Sequence, residues 1–356
     1  VQSYSSIFTS PNHDFSKANE DQFVREVSQQ KKLNHSFIEI EDTGPFNFLL
    51  NFENDADMPL YNTNLYVMDP ILKEANLSGS NYIFDGLDGD VVISHGYDEL
   101  CHLARNFKFK SFFSLYKKTC SKLKKKPNYK SAFKTFFLKT YFSSKNLKAY
   151  RAFKKNYLYE ELNMMRLNKN LHSKDLYSLI NTNYGYERGK YFDPQTSHFN
   201  TLNSNLWEMV FSHIYETRSP HNIKTLMPFF SKNIVEFSLS VSSDYKLRDG
   251  YDRAYFRDAM KESVPSVILK KTAKADMSPM GVLDFNSKKS FLMDYLLEDS
   301  SMKYIVDREK LKRDFFGDSA IKENNKILPV YDLVALKIWL KNEMLEIDPV
   351  KLSKYR

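Results

Sequence analysis

Along the first hundred residues, short apolar runs alternate with longer amphipathic ones. Residues 3–8, 37–40 and 81–84 read as β-strands, since each is rich in β-branched or aromatic side chains. Between them, residues 19–32 carry a helical pattern, with Asn19 the expected N-cap and Glu20 and Asp21 in the electropositive first turn. Residues 60–75 also read as helix, bent or divided at Pro70. The order strand, helix, strand, helix, strand predicts an α/β fold with a parallel sheet wrapped by helices. Beyond residue 100 the pattern turns helical. It covers 100–180 with a break near Pro127, then 206–215, 233–241, 251–263 and 330–344, the last with Leu333, Leu336, Ile338, Trp339 and Leu340 as apolar positions. No internal repeat or low-complexity linker divides the chain. One integrated domain over 1–356 is expected, α/β and nucleotide-binding in 1–100 and mainly helical in 101–356.

Composition narrows the class. Of 356 residues, 42% are hydrophobic and 27% charged, a globular balance. No apolar run is long enough to cross a bilayer, and the N-terminus lacks the basic-then-apolar layout of a secretory signal. Two cysteines, Cys101 and Cys120, cannot build a disulfide framework or a four-cysteine zinc site, so a reducing, cytoplasmic setting is expected. The net charge of +8 is uneven: 17 Lys and Arg and no acidic residue lie between Glu99 and Glu160. Phe109, Phe112, Phe113 and Tyr116, and again Phe133, Phe136, Phe137 and Tyr141, recur there at helical spacing. This describes amphipathic helices under a lysine-covered face. Such a face is either solvated or a surface for an anionic partner, with the solvated reading favoured and nucleic acid not expected.

Residues 84–100, FDGLDGDVVISHGYDEL, carry the first candidate chemistry. An apolar strand runs into Asp85, Gly86, Asp88, Gly89 and Asp90, and a helix follows. Ligands of open α/β sheets bind at the carboxyl ends of strands, where such loops sit. Gly86 and Gly89 let backbone amides approach phosphate oxygens, and the neighbouring carboxylates suit Mg²⁺. Asp-Gly pairs are also ordinary turn formers. A calcium loop counted from Asp88 fails, because its fifth and sixth positions are Val92 and Ile93. Further on, Lys246, Arg248, Arg253, Arg257 and Lys274 cluster within residues 228–279. Cations are what a pyrophosphate leaving group and an anionic transition state require. Alternatively, Arg253 and Arg257, four apart on one helix, pair with Asp249 and Asp258.

Together these segments resemble the synthetase domain of the asparagine synthetase family, over about residues 1–340. The resemblance is carried by Asp85-Gly86-Leu87-Asp88-Gly89-Asp90, Pro228-Phe229-Phe230-Ser231, Arg253 to Arg257, Lys271-Thr272-Ala273-Lys274 before Pro279, and the closing Trp339-Leu340. The variant DGxDGDxxxSHG looks closest to an asparagine synthase-related branch that overlaps with lasso-peptide macrolactam cyclases. The resemblance implies an N-type ATP pyrophosphatase-like fold, within the adenine nucleotide alpha hydrolase-like group. It also implies ATP and Mg²⁺ as reactants and an acyl-adenylate, with release of AMP and pyrophosphate as an amide forms. By similarity Asp90 would bind Mg²⁺ and pyrophosphate, Asp85, Gly86, Gly89 and Arg253 would lie at the nucleotide, and Lys274 would be catalytic. An amino-acid or peptide carboxylate would be the substrate.

The pattern also departs from the family. Its pyrophosphate loop, Ser-Gly-Gly-x-Asp-Ser, is not found in these 356 residues, and no glutaminase domain is expected among them. Leu87 stands where asparagine-forming members carry Glu, Val91 where a second Glu is usual, Leu226 for Arg and Ser231 for Asp. Three expectations follow. One is an asparagine synthase-like ligase completed by an upstream segment or another chain, with a separate glutaminase as a further partner. Another is a peptide macrolactam cyclase of the same fold. The last is a degenerate scaffold that binds through its basic surface.

Overall fold

The computed structural model describes residues 2–9, 15–16, 18–41, 43–52, 57–87, 89–138, 193–272, 275–298, 302–317, 321 and 327–342. Strand β1 (Gln2–Phe8) pairs in parallel with β2 (Asn34–Ile40), Gln2 opposite Asn34 through Phe8 opposite Ile40. The helix Asp21–Lys31 lies between them in sequence and makes the crossover that parallel pairing demands. Asn19 is not its N-cap: Glu20 holds that position without a side-chain bond. The Asn19 amide instead clamps the end of β1, accepting from Phe8 N and donating to Phe8 O, both at 2.8 Å.

Strand β3 (Tyr82–Phe84) pairs in parallel with β4 (Lys224–Leu226), a strand the pattern did not announce because it is three residues long. The described strands therefore form two parallel pairs rather than one continuous sheet. One helix, Leu65–Leu77, spans both. Its Leu72 and Ala75 pack with Ile223, and Tyr4 of β1 and Ile83 of β3 close the same cluster. Pro70 lies inside this helix without dividing it.

The largest apolar core belongs to the C-terminal part. Helices Ser278–Leu297, Arg308–Phe315 and Leu328–Asn342 close around the short helix Pro45–Asn51, burying Phe46, Phe285, Leu292, Leu311 and Tyr331. The N-terminus of Pro45–Asn51 is capped from far along the chain. The Asp284 carboxylate accepts from Phe46 N at 2.7 Å and Asn47 N at 3.0 Å, and pairs with Lys288 at 2.7 Å. A Cβ on Gly44 would collide with that carboxylate, so the approach requires glycine.

The basic segment forms helices Asp98–Arg105, Phe109–Lys122 and Tyr129–Ala132, followed by a π-helical turn, Phe133–Leu138. Phe112 is fully buried and meets Phe113, Tyr116, Phe136 and Phe137 with ring centroids 4.8–5.9 Å apart. Lys117, Lys118, Lys124, Lys125 and Lys126 stay exposed. That division is the amphipathic arrangement the sequence predicts. Tyr141 and the rest of the expected helical stretch, residues 139–180, lie outside the described residues. Leu206–Arg218, Lys232–Ser240 and Leu328–Asn342 fall close to expectation. The stretch 251–263 is helical only over Ala254–Ala259. Among the described residues no helix is long and apolar enough to cross a membrane.

Candidate functional site

Everything the sequence singled out near residue 85 hangs from the end of β3. The ladder with β4 runs one bond further, Asp85 N donating to Leu226 O at 2.9 Å, and the chain then turns away. Asp85 makes that turn with its own side chain, Oδ1 accepting from Leu87 N at 2.9 Å. Its Oδ2 accepts from Arg218 Nη2 at 2.6 Å. Arg218, at the end of helix Leu206–Arg218 and nearly fully buried, also bonds the Thr225 hydroxyl of β4. Both carboxylate oxygens of Asp85 thus serve the fold, and the pair locks the loop to the adjacent strand and helix.

The two glycines have different neighbours. A Cβ on Gly86 would find only Phe229 at 3.9 Å, so that backbone lies open to an approaching group. A Cβ on Gly89 would come within 2.6 Å of the Phe229 ring, so glycine is required there by packing of the Pro228–Phe230 turn. Asp88 lies outside the described residues. Asp90 sits half-buried in the first turn of the short helix Gly89–Ile93.

That helix is held from behind by a buried polar network. His198 is fully buried, and its Nε2 donates to Val91 O at 3.2 Å while its Nδ1 accepts from Lys246 Nζ at 2.9 Å. An ammonium has no acceptor, which fixes the tautomer. Burial and the adjacent Lys246 charge push the His198 pKa down to about 3, so the ring is neutral. Burial likewise lowers Lys246 to about 8. His95, with φ 67°, stacks on His198 at 4.3 Å and reaches Asp98 through Nδ1 at 3.2 Å. Asp252 accepts from the Ser94 hydroxyl and from Gly96 N, and Glu99 accepts from the Ser243 hydroxyl at 2.6 Å. Ser94, His95 and Lys246 stood out in the sequence. His198 did not, because nothing in its local pattern separates it from any histidine on a helix.

Arg253 and Arg257 do not share a helix. Arg253 takes a left-handed φ of 57° and precedes helix Ala254–Ala259. The charges of both act on Tyr97, whose pKa burial and Asp252 raise against their pull. Arg257 donates to Asp252 O at 2.9 Å and to Leu269 O at 2.6 Å, so it braces the backbone. The acids expected to neutralise this pair are engaged elsewhere, Asp249 with Lys118 and Asp258 with Arg248 and Lys261. Asp252, the residue before Arg253, is what bonds the Ser94–Gly96 turn that follows helix Gly89–Ile93.

Lys274 lies outside the described residues. On one side of it, Lys271 pairs with Glu20, and the Thr272 hydroxyl donates to Lys122 O at 2.8 Å. On the other side, Ala275, Asp276, Met277 and Ser278 line a polar cavity of about 270 Å³ with Asn64 and Tyr66. A second cavity, of about 250 Å³, shares Asn64 and Met277 with it and reaches Asp85 and Leu87. Among the described residues no group of three or more His, Cys, Asp or Glu side chains forms a ready metal cage. A single loop carboxylate beside substrate phosphates is nevertheless a normal Mg²⁺ arrangement, and Asp90 fits that part.

Compared with known families, the chain matches the model of asparagine synthase over residues 1–341. A search of curated proteins finds no match.

Proposed function

The chain belongs to the asparagine synthase family, a family of ATP-dependent amide-forming ligases, and from that premise we propose that it activates a carboxylate as an acyl-adenylate and transfers the acyl group to an amine. The observation that carries this reading is the placement of the acidic glycine loop. It leaves the carboxyl end of a parallel strand, its Gly86 backbone is open, Asp90 opens the next helix, and two cavities lie between it and the segment that flanks Lys274.

In this reading the substrate carboxylate attacks the α-phosphorus of ATP and pyrophosphate leaves. The amine then attacks the acyl carbon and AMP departs with the bonding electrons. Asp90 would hold Mg²⁺ together with phosphate oxygens, and the ion would supply charge neutralisation on the leaving pyrophosphate. Gly86 would offer its backbone to the nucleotide. Asp85 acts through Arg218, keeping the loop in register rather than touching phosphate. Arg253 would lie at the nucleotide, and Lys274 would offset the negative charge of the transition states.

Leu87 lies in an apolar stretch of cavity wall, which favours a carboxylate substrate other than free aspartate, a peptide carboxylate among them. The test is ATP–pyrophosphate exchange across a panel of amino acids and peptides, on this chain and on an upstream-extended form. Exchange that is lost in Asp90→Asn and Lys274→Ala is the expected result. Exchange that is unchanged in both variants overturns the assignment, and no exchange in any form leaves a non-catalytic scaffold.

A further inference from the structure

The turn between helices Asp98–Arg105 and Phe109–Lys122 displays what a fold normally hides. Asn106 caps the first helix. Phe107 N then donates to Ala104 O at 3.3 Å and Lys108 N to Leu103 O at 2.9 Å, the bond pair of a helix end whose next residue is left-handed. That left-handed residue is Phe107, with φ 54°, at a position where glycine costs least. All six residues from Asn106 to Ser111, NFKFKS, are exposed. Phe107 is 63% exposed, Phe109 45%, and Phe133, on the π-helical turn, 46%. Phe109 and Phe133 both stack on Phe137, at 5.3 and 5.1 Å, and Phe107 lies 6.0 Å from Phe109. The three therefore form one apolar patch rather than scattered surface residues. Packing among the described residues does not offset the strained backbone and the wetted rings.

The charge around the patch narrows what it meets. Exposed Lys108 and Lys110 alternate with the first two rings, and exposed Lys130 and Lys134 lie on either side of Phe133 in sequence. At about 100° per residue, Lys110 and Lys117 flank the side of their helix that carries Phe109 and Phe113. The opposite side is engaged by the body of the protein: Lys118 pairs with Asp249, and Lys122 lies over the Tyr251 ring at 4.3 Å. From Leu138 to Glu160 the chain adds six more Lys and Arg and no acidic residue. The complementary partner is therefore anionic. A nucleobase needs free ring faces to stack on, yet Phe109, Phe113 and Phe133 turn theirs to Phe137 at interplanar angles of 16–26°. A peptide helix or strand needs a groove or a sheet edge, whereas six consecutive exposed residues make a projection. Projecting phenylalanines among lysines suit an anionic bilayer, where rings enter the acyl boundary and ammonium groups stay with the headgroups.

We propose that Phe107, Phe109 and Phe133, with the lysines around them, form a peripheral docking surface for an anionic lipid bilayer. No helix has to cross the bilayer for this. The assignment goes beyond the ligase reading and does not depend on it. The patch and the candidate catalytic segment stand toward opposite ends of one helix, about 20 Å long: at its far end Lys122 O accepts from the Thr272 hydroxyl, two residues before Lys274.

The test uses the full chain with three probes: vesicles of neutral phosphatidylcholine, vesicles containing phosphatidylglycerol as well, and a short single-stranded oligonucleotide. The chain should co-sediment with the anionic vesicles at least about tenfold more tightly than with the neutral ones, and the gap should narrow as salt rises. Phe107→Ser combined with Phe109→Ser should weaken anionic binding by at least about tenfold, with far-UV circular dichroism unchanged. Lys110→Gln combined with Lys117→Gln should weaken it by about tenfold and flatten the salt dependence. Acyl-chain-brominated lipid, which quenches only rings inside the bilayer, should quench the fluorescence added by Phe107→Trp and leave that of Trp207 and Trp339 unchanged. No vesicle binding, equal binding to both kinds of vesicle, an unquenched Phe107→Trp, or a serine variant that binds like the parent would overturn the proposal. An oligonucleotide or a second copy of the chain that binds through Phe107 and Phe109 in place of the vesicles would also overturn it. If the serine variant does not fold, the quenching of Phe107→Trp decides by itself.

Discussion

The helices that close the C-terminal part and the loops that follow β3 are both buried, but they are held together by different physics. Around Phe285, Leu292 and Tyr331 the contacts are almost wholly apolar. Around Asp85, His198 and Lys246 the buried atoms are charged or polar, and each depends on a particular partner. Apolar packing is non-directional and tolerates changes that keep volume. A buried ion pair or hydrogen-bonded relay fails when one atom is lost, since the partner is then left uncompensated. The loop region is therefore the more fragile of the two, yet it fixes side-chain positions more tightly, as a site for chemistry requires.

Four measurements press on this contrast. The largest effect is expected from Phe285→Ala, which should lower unfolding free energy in urea by about 4 kcal/mol, with no second substitution in a polar partner able to restore it. Arg218→Met should cost about 2–3 kcal/mol by leaving the partly buried Asp85 carboxylate unpaired. Adding Asp85→Asn should recover part of that loss, and a strictly additive double variant would show that the pair is uncoupled.

The third measurement is a pH series. His198 and His213 have folded pKa values near 3 and 4, below the ordinary 6.5. Between those values and 6.5 the unfolded chain binds more protons than the folded one, so stability falls as pH drops below 6.5 and is flat above it on their account. From pH 7 to pH 5 each should cost roughly 2 kcal/mol, and His213→Phe should remove its share of the slope. The smallest of the four effects, about 1–2 kcal/mol, is expected for Gly89→Ala, which forces a methyl group into the Phe229 ring. Phe229→Leu in the same chain should relieve it. A stability change that Phe229→Leu does not touch would mean the glycine serves backbone freedom instead.

Much of this was legible in the chain itself. The positions of β1, β2 and β3, the turn at Asp85, and the amphipathic helix Phe109–Lys122 all follow from local patterns. The long helix Ser278–Leu297 was not legible. Its buried residues include Gly281 and Asp284 beside Phe285 and Leu292, so no clean apolar stripe announces it. Strand β4 was too short to stand out, and Arg253 was read onto a helix that starts one residue later. Asp85, Gly86, Gly89, Asp90 and Arg253 were singled out by residue type, spacing and family resemblance. Their partners were not. Arg218 lies 133 positions from Asp85, and Lys246 lies 48 from His198.

What the sequence determined by itself is whatever a local stretch of backbone and its side-chain period can specify. That covers where strands and helices begin, which loop carries carboxylates and glycines, and membership of a ligase family over residues 1–341. Only the tertiary structure decided which of those carboxylates is spent on the fold, that Phe229 is the reason for Gly89, that His213 is buried with both nitrogens unpartnered among the described residues, and that the described strands stand in two pairs. The reason is physical. Burial, pairing and pKa depend on which groups share a dry volume, and those groups meet only when distant segments of the chain pack together.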